Sequence, residues 1–126
     1  MLEEIIVNVD DDRPGILADI GEILGRAGVN IETLAASNYA GQGRIHLVVD
    51  DGEDAAESLS ASGYKVDETR PVISTTLDDR PGELGRYCRR LTEAGVMISA
   101  AYVARREGGE TEMIFAVDDL ETAQSA

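Results

Sequence analysis

The sequence predicts an α+β fold built twice: two tandem β-α-β-β-α-β units, residues 1–69 and 70–126, the second lacking its last strand. Three observations carry this reading. A 21-residue block recurs along the chain. Each copy is flanked by the same succession of apolar patterns. Few residues remain after the last apolar run of the second copy.

Residues 11–31 read DDRPGILADIGEILGRAGVNI and residues 78–98 read DDRPGELGRYCRRLTEAGVMI. At an offset of 67, eleven of the 21 positions are identical. The similarity returns as LVVDD at 47–51 and FAVDD at 115–119, now at an offset of 68, so the second hairpin carries one extra residue. A fixed internal period of this kind marks a duplicated structural unit.

Residues 5–9 form a short apolar run suited to a buried strand. Asp-Arg-Pro-Gly interrupts it, and Ile16, Leu17, Ile20, Ile23, Leu24 and Ala27 then recur at helical spacing as one stripe. Gly28 falls where a left-handed helix C-cap belongs. Residues 29–36 read as a second strand and 39–43 as turn material. Residues 44–50 alternate Ile45, Leu47 and Val49 on one face as a third strand. A second helix over 54–62, opened by an acidic cap, and a short fourth strand over 64–66 complete the unit. The second copy starts near Pro71, with Leu84, Tyr87, Cys88, Leu91 and Ala94 as its helix stripe and 68–71 as the only candidate linker.

This element order fits a ferredoxin-like sandwich. The right-handed crossover between the first two strands leaves a gap for the antiparallel third, and both helices cover one sheet face. In the second copy, nine residues follow Val117, enough for about two helical turns. The strand over 72–77 should then be an edge, and exposed edges are usually covered.

The proline of the DRPG turn suggests that Pro14 is the first helical residue and Arg13 its N-cap. Arginine has no short acceptor for the first-turn amides, so those of Gly15 and Ile16 should stay open to an anion. Asn30 adds a donor and an acceptor. In the second copy Met97 replaces Asn30, and Glu83, read at the third helical position, brings a carboxylate to the helix start. The competing reading makes DRPG only a tight strand-to-helix turn, with Pro and Gly structural and Asp12 a turn former.

Strand, DRPG, helix, AGVNI, strand, present twice, resembles the signature of ACT domains, small regulatory modules that bind amino acids. Over essentially its whole length the chain is similar to freestanding tandem-ACT proteins with no enzyme domain attached. The shortened second copy departs from that pattern. The resemblance implies edge-to-edge pairing into a homo-oligomer, a dimer, with ligand at the pair interface. It places the ligand against Asp12, Arg13, Pro14, Gly15, Ile16, Leu17 and Asn30. A weaker second site would comprise Asp79, Arg80, Gly82, Glu83, Leu84 and Met97.

Composition narrows the function. A net charge of −14 argues against nucleic-acid binding, which needs Lys and Arg against phosphate. Of eleven basic residues only Lys65 is a lysine, and the acids spread over the whole chain, as in proteins of salt-loving organisms; the alternative is a merely acidic protein from a GC-rich genome, where Arg also replaces Lys. No apolar run is long enough to span a bilayer, and the acidic start does not read as a signal peptide. The single cysteine, Cys88, fits a cytoplasmic location and reads as a packed helix residue.

His46 lacks companions for a zinc site and reads as a surface strand residue. Residues 10–12 and 50–51 read as turn acids rather than a cation loop. Arg86, Arg89 and Arg90 share an exposed helix face. No catalytic set, metal site or cofactor motif is evident. The expected function is a non-catalytic amino-acid-binding regulator, with an enzyme as a candidate partner. The alternative is a ligand-free structural subunit of a metabolic enzyme complex.

Overall fold

β1 (Glu3–Val9) alternates between two environments. Ile5 and Val7 point into a core shared with α1 (Ile16–Arg26), β3 (Gln42–Val49) and α2 (Gly52–Ala61). From α1 come Ile16, Ile20, Ile23 and Leu24, and from α2 Ala55 and Leu59, so both helices lie on the same sheet face. Leu17 leaves the expected stripe and is 44% exposed, because it lies one position round the helix from Ile16.

The computed structural model describes residues 1–126, and the chain divides into units Met1–Arg70 and Pro71–Ala126. In the first unit β1 pairs antiparallel with β3, and β3 with β2 (Ile31–Tyr39). Their hairpin closes through Ala40 at φ 52° and Gly41 at φ 84°, the two positive-φ positions of a type I′ turn. In the second unit β4 (Lys65–Asp78) pairs with β6 (Glu110–Val117), and β6 with β5 (Ile98–Glu107). α3 (Glu83–Glu93) and α4 (Leu120–Ser125) supply its helices. The architecture is α+β with antiparallel strands and the β-α-β-β-α pattern in both copies.

Several local expectations change. The fourth strand is not a three-residue stub followed by a linker: residues 65–78 form one strand, with 68–71 inside it. The second helix starts at Gly52, and its cap is Asp51, whose carboxylate accepts from the Asp54 amide at 3.0 Å. Asp119 caps α4 in the same way through Thr122. The acid before each cap holds the chain entering β2 or β5: the Asn30 amide donates to Asp50 and the Met97 amide to Asp118. The extra residue of the second hairpin becomes a bulge. Val103 pairs with Met113 and Arg105 with Glu112, leaving Ala104 over.

The second core is built from Tyr87, Leu91, Val96, Met113, Phe115, Val117 and Ala123. Tyr87 and Phe115 stack obliquely at 5.2 Å, and the Arg90 guanidinium lies 5.3 Å from the Tyr87 ring centre. Cys88 is half-buried against this core, and burial pushes its thiol pKa up, away from the reactive thiolate.

His46 is not simply a surface residue. It lies on the helix-free face of β3, its Nδ1 3.1 Å from the fully buried Glu4 carboxylate, whose other oxygen accepts from Arg70 Nε at 2.5 Å. Arg44 Nε donates to His46 Nε2 and Arg44 Nη1 to Asn8, extending the network along the face. Buried charge of this kind requires such partners.

Candidate functional site

Beyond β1 the chain enters the turn under tight local constraint. The Asp12 amide donates to Gly41 of the β2–β3 hairpin at 3.0 Å, and its carboxylate accepts from Asn38 Nδ2 at 2.8 Å. A side chain at Gly43 has no room there, since its Cβ would lie 2.9 Å from Asp12 Cγ. Asp12 thus ties the turn to the hairpin.

Arg13, Pro14, Gly15 and Ile16 then form a type II turn. Gly15 has φ 98° and ψ −16°, and the Ile16 amide donates to Arg13 O at 3.4 Å. Pro14 is therefore the second residue of the turn and not the first of the helix. The N-cap is Gly15 instead of Arg13, since only glycine adopts this conformation readily. Contrary to expectation the Ile16 amide is engaged, though weakly. No side chain caps α1, and the Gly15 and Leu17 amides find no partner within the chain. Beside them lies a cavity of about 320 Å³, lined by Asp12, Arg13, Pro14, Gly15, Ile16 and Leu17 together with Ala36, Ser37, Asn38 and Ile45.

Asn30 is not part of this cavity. It precedes β2, whereas the turn packs at the other end of that strand, about 26 Å away at roughly 3.3 Å per residue. Its Nδ2 donates to Glu32 at 2.9 Å. The amide that reaches the turn belongs to Asn38. Residues 36–38 carry little sequence signal, because Ala-Ser-Asn before a Gly-rich turn reads as loop rather than strand.

The second turn repeats the backbone but not the chemistry. Gly82 has φ 89°, the Asp79 amide donates to Gly109 at 2.8 Å and the Glu83 amide to Arg80 at 3.3 Å. Glu83 is the first residue of α3 and not the third. Its carboxylate does not fold back on the helix amides, because Arg80 Nε at 3.0 Å and Arg86 Nη1 hold it from either side. The hydrogen bond from Arg80 is the main reason its pKa is lowered. Arg80 also approaches Asp78, and Arg106 approaches Asp79, each at 3.6 Å. Leu84 is 49% exposed beside this ion cluster, and Met97, 63% exposed, occupies the place of Asn30 before its strand. No group of His, Cys, Asp and Glu in the structure is arranged to hold a metal ion.

No helix is long and apolar enough to cross a membrane. No curated protein matches the sequence. Among solved structures, protein BT0572 from Bacteroides thetaiotaomicron superposes with a TM-score of 0.82 at 18% identity, covering 98% of this chain and 83% of that one. The regulatory subunit of aspartate kinase from Thermus thermophilus, in its ligand-free form, gives 0.75 at 16% identity, covering 98% and 86%. The corresponding subunit from Thermus flavus gives 0.68 at 16%, covering 90% and 82%. At these identities the likeness is one of fold. A family model adds a match in sequence: residues 5–69, just over half the chain, fit the AHAS small subunit-like ACT domain, and the chain belongs to the ACT-domain family.

Proposed function

We propose that the protein is a non-catalytic regulator that binds a small carboxylate-bearing ligand, an amino acid, at the first turn. The observation that carries this reading is the uncapped start of α1 beside the cavity, with the Gly15 and Leu17 amides unpartnered. Open amides at a helix N-terminus favour an anion. The equivalent place in the second unit holds Glu83 between two arginines, so the second site, with Asp79, Arg80, Gly82, Leu84 and Met97, is the weaker one. The family supports a regulatory role. Two structures of the same fold are described as regulatory subunits of aspartate kinase.

Asn30 belongs to this proposal only in an assembled form. It lies at the opposite end of β2 from the turn, so it meets a first-site ligand only from another ACT unit. This favours a homo-oligomer, a dimer, with ligand at the interface. Ligand binding to the assembled form alone would shift assembly or an enzyme partner's state by its differential affinity. We place this activity in the cytoplasm, where the lone thiol of Cys88 stays reduced.

Calorimetry against the twenty amino acids, at high salt, tests the reading. At a ligand concentration about 100 times Kd, melting should show about 2.7 kcal/mol of stabilisation. Asn30→Met should remove most of it, and Met97→Asn should leave the first site unchanged. If no amino acid binds, or Asn30→Met binds like the parent, the assignment fails. A specific observation then favours the alternative of an interaction subunit: Leu17 and Leu84 are both about half exposed at the helix starts, as apolar contacts for a partner would be.

A further inference from the structure

The first unit carries another cavity, on the sheet face away from the helices. Its volume is about 440 Å³, within the usual range for small-molecule pockets, and its lining includes Asn8, Asp10, Tyr39, Arg44 and Lys65. We infer that this pocket is a second small-molecule site, independent of the turn, and that it takes a molecule with two carboxylates and one ammonium group: an acidic α-amino acid.

The charges define the class. Two cations and one anion line the pocket in a chain of net charge −14, and one of those cations is the only lysine present. Arg44 is held in place before any ligand arrives. Its Nε donates to His46 Nε2 at 3.2 Å and its Nη1 to Asn8 Oδ1 at 3.0 Å. These bonds use two of the five guanidinium N–H groups and leave both hydrogens of Nη2 and one of Nη1 for a carboxylate, and a guanidinium already held in place loses little entropy in binding it. Lys65 is only loosely engaged: its ammonium lies 3.8 Å from Asp67 and its side chain is 81% exposed. Exposed pairs of this kind are weak, so Lys65 is available to a second carboxylate. Asp10 supplies the counter-charge for the ammonium group.

The duplication provides an internal comparison. Arg44 stands opposite Asn8 in the first sheet, and Glu112 stands opposite Thr76 in the second. A cavity of about 420 Å³ lies there too, but its lining includes Glu107, Glu110 and Glu112 with a single arginine, Arg105. The fold thus supplies a hollow in each copy, and only the first has the charge to hold an anion.

Titration calorimetry with L-glutamate, at moderate ionic strength, tests the inference. L-glutamate should bind, and succinate, which lacks the ammonium group, should bind more weakly. Arg44→Glu, which copies the second unit, and Lys65→Glu should each weaken glutamate by roughly tenfold or more. Arg44→Lys should be intermediate, because it keeps the charge and loses the fork. Melting curves establish that each variant is folded. Asn30→Met, which probes the turn site, should leave this binding unchanged. The inference is overturned if glutamate does not bind at about 10 mM, or if the folded Arg44→Glu and Lys65→Glu proteins bind it as the parent does. It is equally overturned if Asn30→Met abolishes glutamate binding while Arg44→Glu does not, since the ligand would then belong to the turn.

Discussion

Asn38 donates a 2.8 Å hydrogen bond to the Asp12 carboxylate, fastening the end of β2 to the turn that starts α1. Asn38→Ala removes the donor and leaves Asp12 to solvent. The bond is exposed, so the expected loss is about 1 kcal/mol. Urea denaturation measures it, and an unchanged midpoint would show that the bond does not fasten the turn.

Gly15 and Gly21 should respond in opposite directions to the same substitution. A methyl group at either position meets no atom within 4 Å. Gly15 has φ 98°, so Gly15→Ala should cost on the order of 1–2 kcal/mol through backbone strain. Gly21 lies inside α1 with ordinary helical geometry, so Gly21→Ala should gain about 0.5–1 kcal/mol. Equal effects of the two changes on the melting temperature would contradict the assigned turn.

Much of this was legible in the residues. The DRPG repeat and the stripe of Ile16, Ile20, Ile23 and Leu24 locate the helices and the core. The turn itself is not legible there. Proline occurs both at a first helical position and as the second residue of a type II turn, and only the φ of Gly15 separates the two. The length of β2 was hidden because Ser37 and Asn38 are polar residues on a strand that ends in a turn. The amide of Asn30 and the family resemblance both point to it as a ligand contact, but the register of β2 and β3 puts it at the far end of the strand.

Acid should reveal the ion cluster of the second turn. The pKa of Glu83 is lowered, first by its hydrogen bond from Arg80, and that of Asp119 is lowered by Thr122. A carboxylate held below its unfolded value, about 4.3 for Glu, stabilises the fold fully above that value. The contribution disappears as pH falls through the folded pKa. The urea midpoint should therefore fall in this acid range. Glu83→Gln should make that limb shallower without altering the slope near neutrality. Superimposable acid limbs would remove Arg80–Glu83 as a contributor.

Salt should act on the whole molecule. With a net charge of −14, repulsion between carboxylates reaches furthest when the Debye length is about 30 Å, at 0.01 M salt, and is confined to about 3 Å at 1 M. The melting temperature should climb steeply between these limits. A flat profile would refute the expectation of adaptation to concentrated salt.

The extra residue at Ala104 marks how far the two copies have drifted apart. In an assembly of identical single units, every substitution appears at all equivalent positions at once, so a change that empties one site empties them all. Joining two copies in one gene removes that constraint. One turn can stay free of charge pairs while the other holds a glutamate between two arginines, and one hollow can turn cationic while its counterpart turns acidic. Half of the molecule is thereby free to answer to a different signal from the other half.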